Sequence, residues 1–207
     1  HMLKEIHEQP AILEKLFHTQ PILPSDIRHI DIIGCGSSYH AGLIGQHWLE
    51  QWAGRPTRVH IASEYRYQPH LILEKSSWIG LSQSGETADT LAALHHAQQS
   101  NYDHYLAICN APFSSLSRAI PQTIDQMAGP EISVAATKRS TSQLMSLLQL
   151  AYHSSSKPPI PKEVLKKSLI EALTAILANS DTAARLAQQL SEDHQALFIG
   201  RGLLYPT

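Results

Sequence analysis

The chain has 207 residues, 43% of them hydrophobic, and a formal net charge of −2. That length and apolar content suit one domain, or one domain and a fragment, with a real core. The charge balance excludes the basic bias of a nucleic-acid binder, no Lys/Arg run marks a membrane surface, and no stretch is apolar for long enough to span a bilayer.

Residues 4–17, KEIHEQPAILEKLF, read as helical with an interruption at Pro10. Residues 20–26 form a Pro-rich polar linker. Strands then alternate with helices. HIDII (29–33), RVHIA (58–62), SWIGL (77–81) and HYLAIC (104–109) are short, apolar or β-branched runs, and QTIDQM (122–127) is a weaker fifth. Helical patterns fill 39–53, 88–100 and 114–119. Strands separated by helices predict an α/β fold: a three-layer, doubly wound, five-stranded parallel sheet in the flavodoxin-like order 2-1-3-4-5, with added helices at both ends.

A long helix is expected over 133–154, where Leu144, Leu147, Leu148 and Ala151 recur at helical spacing. SSSKPP (154–159) breaks it. Pro161 opens a second helical region, 162–192, with Leu165, Leu169, Ala172, Leu173 and Ile176 as its apolar stripe. Asn179-Ser180-Asp181 ends one helix there and caps the next. ALFIG (196–200) reads as a further strand. The organisation expected is a helix and linker over 1–24, a domain over 25–157, a helical connector over 158–195 and the start of a second, truncated domain over 196–207.

Two segments share one pattern. DIIGCGSSYHAG and WIGLSQSGETADTL each run from strand through small and hydroxyl residues into helix. In the order 2-1-3-4-5 the strand order reverses between strands one and three, and ligands sit outside the carboxyl ends of strands at such a point. Gly36, Ser37 and Ser38 would therefore converge with Ser82, Gln83, Ser84, Gly85, Glu86 and Thr87. Helix N-termini offer free N–H donors and partial positive charge, hydroxyls add donors, and glycine admits close approach. Without a lysine or a P-loop pattern, a single phosphate on a small molecule fits better than a triphosphate with Mg²⁺. Helix caps and turns are the alternative explanation of the same hydroxyls.

Other candidates are less specific. Cys35 lies between two glycines with no evident base beside it, so it reads either as a nucleophile or as a small residue in a tight turn. Cys109 ends a core strand and reads as packing. In GPEISVAATK (129–138), Val134 and Ala135 are small enough to let backbone approach a ligand, while Glu131 and Lys138 flank an apolar helix start and read more as ordinary surface charges than as site residues. Two separated cysteines exclude a disulfide framework and point to a reducing, cytoplasmic setting. The 13 histidines fall in no metal-binding spacing. Nothing at the N-terminus resembles a signal peptide, and His1-Met2 reads as the remnant of a cloning step.

Taken in order, SQSGETADT, CGSSY, IASEYRY, LAICN and GPEISVAATK resemble the sugar isomerase (SIS) family. KEIHEQP and IASEYRY resemble more narrowly the isomerase half of the glutamine–fructose-6-phosphate aminotransferases, or glucosamine-6-phosphate synthases. ALFIGRGLLYP resembles the start of that half's second SIS domain. The resemblance implies a phosphosugar ligand, fructose 6-phosphate or glucosamine 6-phosphate, with no cofactor and no metal. It implies phosphate contacts from Ser38, Ser82, Gln83, Ser84 and Thr87, and sugar contacts from Cys35, Gly36, Ser37, Val134 and Ala135. Ser37 stands where the family more often has Thr, and Ala136 where it often has Ser, which removes one polar contact.

The resemblance also implies a homodimer, a second SIS domain and possibly a glutaminase domain in the longer protein. The family's acid–base groups lie mainly in the second SIS domain and C-terminal tail. The 207-residue chain is therefore expected to bind phosphosugar without turning it over. SIS-type glucosamine-6-phosphate deaminases or aldose–ketose isomerases, and non-catalytic phosphosugar sensors, remain the alternatives.

Overall fold

The sheet follows from which strands are apolar on both faces. In a computed structural model, which describes residues 1–191, 195 and 197–206, β1 (His29–Gly34), β2 (Thr57–Ile61), β3 (Ser76–Leu81), β4 (His104–Cys109) and β5 (Gln122–Asp125) form one sheet. All pairings are parallel and the order is β2-β1-β3-β4-β5, as the sequence predicts. Every residue of central β3 is buried, whereas β2 and β5 at the edges are mostly not. A parallel sheet covered on both faces requires that contrast.

The pleat sends alternate residues into two cores. Ile30, Ile32, Ile79 and Leu81 pack with Leu49, Leu147 and Leu150, under α3 (Ser37–Ala53) and α7 (Lys138–His153). Ile33 and Trp78 pack with Tyr65, Leu94 and Leu116, under α4 (Ala62–Tyr65), α5 (Ala88–Ala97) and α6 (Ser115–Ala119). Asp31 lies among these strands, 1% exposed. Arg58 donates to both of its oxygens at 2.7 Å, the Tyr102 hydroxyl donates at 2.7 Å, and His60 Nε2 lies 3.1 Å away. Burial pushes its carboxyl up, but those partners outweigh burial and hold its pKa down at about 2.

Several boundaries differ from expectation. The N-terminal helix is two, α1 (Met2–His7) and α2 (Gln9–Leu16), and the break falls at Glu8. Pro10 sits in the first turn of α2, where no N–H is needed, so it starts a helix and does not interrupt one. The helix expected from residue 133 begins at Lys138. Glu5 accepts the N–H groups of Ile132 and Ser133, and Glu131 accepts that of Thr137, so these donors are satisfied outside a helix. Strand β5 stops at Asp125, whose side chain accepts the Met127 N–H at 2.8 Å and turns the chain.

The chain divides into two units, His1–Pro159 and Ile160–Thr207. The second holds α8 (Lys162–Ala178) and α9 (Ser180–Gln189), parted at Asn179. The Asn179 amide donates back to the Ala175 carbonyl at 2.8 Å and does not cap α9. Glu192, the expected end of this region, and Ala196 lie outside the described residues. Residues 197–200 form no strand, and Leu197, Phe198 and Ile199 are exposed. A strand is held by ladder bonds to a neighbour, and among the described residues none pairs with them.

Candidate functional site

The register pairs Gly34 with Leu81, the last residues of β1 and β3. The two hydroxyl-rich segments therefore leave the sheet side by side, at the point where strand order reverses. After β1, Gly36 takes φ 55° and ψ −129°, a backbone region open to glycine, and directs the chain into α3. After β3, Gly85 takes φ 65°. A Cβ there would lie 2.0 Å from Ser114 Oγ, so only glycine fits against the α6 cap.

The polar bonds around these loops run in one direction. Ser82 Oγ accepts the Gly85 N–H at 3.0 Å and lies 3.1 Å from Thr87 Oγ1. Ser84 Oγ accepts the Glu86 N–H at 3.1 Å. Ser38 Oγ accepts from the buried amide of Gln143 at 3.0 Å. Gln83 Oε1 accepts from Arg139 Nη1 at 2.7 Å. The oxygens of Ser82, Ser84, Ser38 and Gln83 are each used as an acceptor by the protein, and a hydroxyl keeps one hydrogen to donate. The hydrogens of Ser38 and Ser84, one of the two in the Ser82–Thr87 pair, and the NH₂ of Gln83 are used in none of these bonds. Such a surface offers donors and suits an anion.

Depth separates the roles. Ser82 is 2% exposed and Ser38 7%; Gln83, Ser84 and Thr87 are half-buried and Ser37 is exposed. Ser82 therefore braces the loop from beneath, while Ser84 and Thr87 present themselves. The one acid in the loop is tied off: Glu86 accepts the Ser115 N–H at 2.8 Å. The Ser115 N–H and hydroxyl hold its carboxyl below the usual carboxylate range. Cys35 is half-buried and packs against the second core, which favours the tight-turn reading over a nucleophile. Cys109 is buried, with Sγ 3.6 Å from the Ala111 carbonyl, and burial pushes its thiol up.

Val134 and Ala135 lie in the segment between β5 and α7, both exposed. Among the described residues no hydrogen bond joins Val134 or Ala135 itself to the two loops. The link is Glu131, whose carboxylate accepts from Thr137 Oγ1 at 2.7 Å and from Arg139 Nε, while Arg139 reaches Gln83. Burial raises the Glu131 carboxyl, but the Thr137 hydroxyl and N–H and the Arg139 guanidinium outweigh it and leave it lowered. Glu131 and Lys138 are thus not ordinary surface charges: the Glu131 side chain is enclosed, and Lys138, 5% exposed, donates to Glu8 at 2.7 Å.

Sequence reasoning missed three supports. Glu5, Glu8 and Gln9 of KEIHEQP hold Ile132, Ser133, Lys138 and Thr141. Gln126, fully buried, donates to the carbonyls of Ser82 and Ile108 at 3.1 Å each. Arg139 brings a cation to a loop that has none in its own sequence. Only KEIHEQP carried a local signal, as part of a recognisable motif. Among the described residues no group of three or more His, Cys, Asp or Glu could hold a metal ion, and no helix is long and apolar enough to cross a membrane.

Comparison with known proteins places these features in context. The SIS domain family matches residues 25–153. The glutamine–fructose-6-phosphate aminotransferase (isomerizing) of Pseudomonas putida is 38% identical over 99% of this chain, and that of Legionella pneumophila (strain Philadelphia 1) is 41% identical over 99%. The chain spans 37% of the length of each. The solved C-terminal domain of glucosamine-fructose-6-phosphate aminotransferase from Francisella tularensis superposes with a TM-score of 0.84 at 35% identity, covering 99% of this chain and 63% of that one.

Proposed function

The chain belongs to the SIS domain family, and we propose that it is the phosphosugar-binding segment of a glutamine–fructose-6-phosphate aminotransferase. Its ligand on this reading is fructose 6-phosphate or glucosamine 6-phosphate. The observation that carries the reading is the set of unspent donors at the switch point, where the oxygens of Ser82, Ser84, Gln83 and Ser38 accept from the protein and leave hydrogens to donate. A phosphate dianion would take the hydrogens of Ser84, Thr87 and Ser38 and the NH₂ of Gln83, with the start of α5 adding its dipole. Each charge-assisted bond contributes on the order of 1.5–3 kcal/mol, so a few suffice without a cation bound beside the phosphate. The sugar would lie along Cys35, Gly36 and Ser37, with Val134 and Ala135 against it. Identity of 38–41% to aminotransferases along the whole chain weighs toward this reading and against the deaminase and sensor alternatives.

The proposal extends to the longer protein, with a second SIS domain, a glutaminase domain and a homodimer as partners. The chain by itself binds without turnover. Ring opening and isomerisation need a group that takes and returns a proton. Glu86, in the loop, and Glu131, linked to it through Arg139, have carboxyls held below the usual range and are already committed to Ser115 and to Thr137 and Arg139. A coupled assay for glucose 6-phosphate from fructose 6-phosphate should stay at background with the purified chain, while inorganic phosphate competes with fructose 6-phosphate for binding. Turnover well above background, or no competition by phosphate, would contradict the proposal.

A further inference from the structure

We infer that Arg139 is a positioning residue of the anion site: it fixes the Gln83 amide so that its NH₂, and not its oxygen, faces the ligand. The inference rests on the phosphosugar reading above and adds a residue that the reading did not require.

The argument begins with donor chemistry. A guanidinium carries five N–H donors and no acceptor. The Gln83 atom 2.7 Å from Arg139 Nη1 is therefore the carbonyl oxygen. The amide NH₂ takes no part in that contact and is the end of the side chain left for a ligand. The Gln83 backbone is fixed separately, since its main-chain carbonyl accepts the Asn110 N–H at 3.0 Å. Only the side-chain amide has a choice, and Arg139 makes it. Without Arg139 the amide is free to rotate by half a turn and present an acceptor to an anion.

Arg139 is itself held. Its Nε donates to Glu131, whose side chain is enclosed and which also takes the N–H and hydroxyl of Thr137. The Arg139 side chain is only 20% exposed. An exposed ion pair would swing with solvent and hold nothing. This one forms a fixed chain from the turn beside Val134 to the phosphate loop. A cation near the cradle also adds favourable charge, but its contact with Gln83 makes orientation the specific effect.

The test is a double-mutant cycle on the full chain, with inorganic phosphate and fructose 6-phosphate as probes. Arg139→Met should weaken both probes about tenfold, the size of one oriented hydrogen bond to a charged group. Gln83→Ala should cost a similar factor, and the double variant no more than the larger single loss. Gln83→Glu keeps the contact with Arg139 but offers only oxygens to the ligand, and should reduce binding more than Gln83→Ala while melting at the wild-type temperature. Additive losses, unchanged affinity in Arg139→Met, or wild-type binding by Gln83→Glu would overturn the role of Arg139. If the wild-type chain binds neither probe, the anion site itself falls, and this inference with it.

Discussion

At the scale of single residues, Ser82 and Ser84 stand two positions apart and behave differently because one is fully buried and the other is not. Ser82, 2% exposed, is the acceptor for Gly85 N–H. Ser82→Ala leaves that donor unpaired in a buried turn, which costs about 1–3 kcal/mol of stability. Ser84 accepts from an exposed N–H that water can serve instead. Ser84→Ala should leave the urea midpoint nearly unchanged and weaken phosphosugar binding by about five- to tenfold. Paired urea melts and ligand titrations check both, and equal effects on both measures would remove the distinction. Asp31 is the other residue with a sharp consequence. Its folded pKa is held down at about 2 from an ordinary 3.8. The stability it contributes is present above pH 4 and is lost as pH falls through about 2, a swing on the order of 2 kcal/mol. Asp31→Asn should cost about 3 kcal/mol at pH 7, because Arg58 loses its partner. The gap between wild type and variant should narrow as pH falls from 4 toward 2; a constant gap would contradict the ion-pair assignment.

At the scale of elements, the N-terminal helices act as a strap on the segment that carries Val134 and Ala135. Glu5 takes two N–H groups there and the Ser133 hydroxyl, and the Ser133 hydroxyl, then the Ile132 N–H, hold its carboxyl below the usual range. Glu5→Ala should speed amide exchange of Ile132 and Ser133 while the amides of β1 and β3 stay protected; unchanged exchange at Ile132 would show that the strap holds nothing. Legibility divides along the same line. The two strand–loop–helix segments around Ser38 and Ser84 were readable because their periodicity and turn chemistry are local. The start of α7 was not. Its sequence is helical from residue 133, yet α7 begins at Lys138, and the segment before it is tied to Glu5, 128 positions away from Ser133. Glu8 likewise claims Lys138 across 130 positions. A local pattern cannot report an acceptor that arrives from the other end of the chain.

At the scale of the whole molecule, the order of the sheet was legible and is what brings the site together. Parallel strands with helical crossovers leave few topologies, and reversal between β1 and β3 sets both hydroxyl loops on one edge. What the sequence did not reveal is the direction of the hydrogen bonds. Ser38 waits on Gln143, 105 positions away, and Gln83 on Arg139, 56 away. Those partners occupy the two oxygens and leave the hydrogens of Ser38 and Gln83 to donate. The most direct test of that claim is an NMR titration of the chain with fructose 6-phosphate. The account predicts progressive, saturable shifts in the amides of Ser82 to Thr87 and of Ser38, with strands β4 and β5 unmoved. Amides in those loops that stay still at tens of millimolar ligand would contradict it.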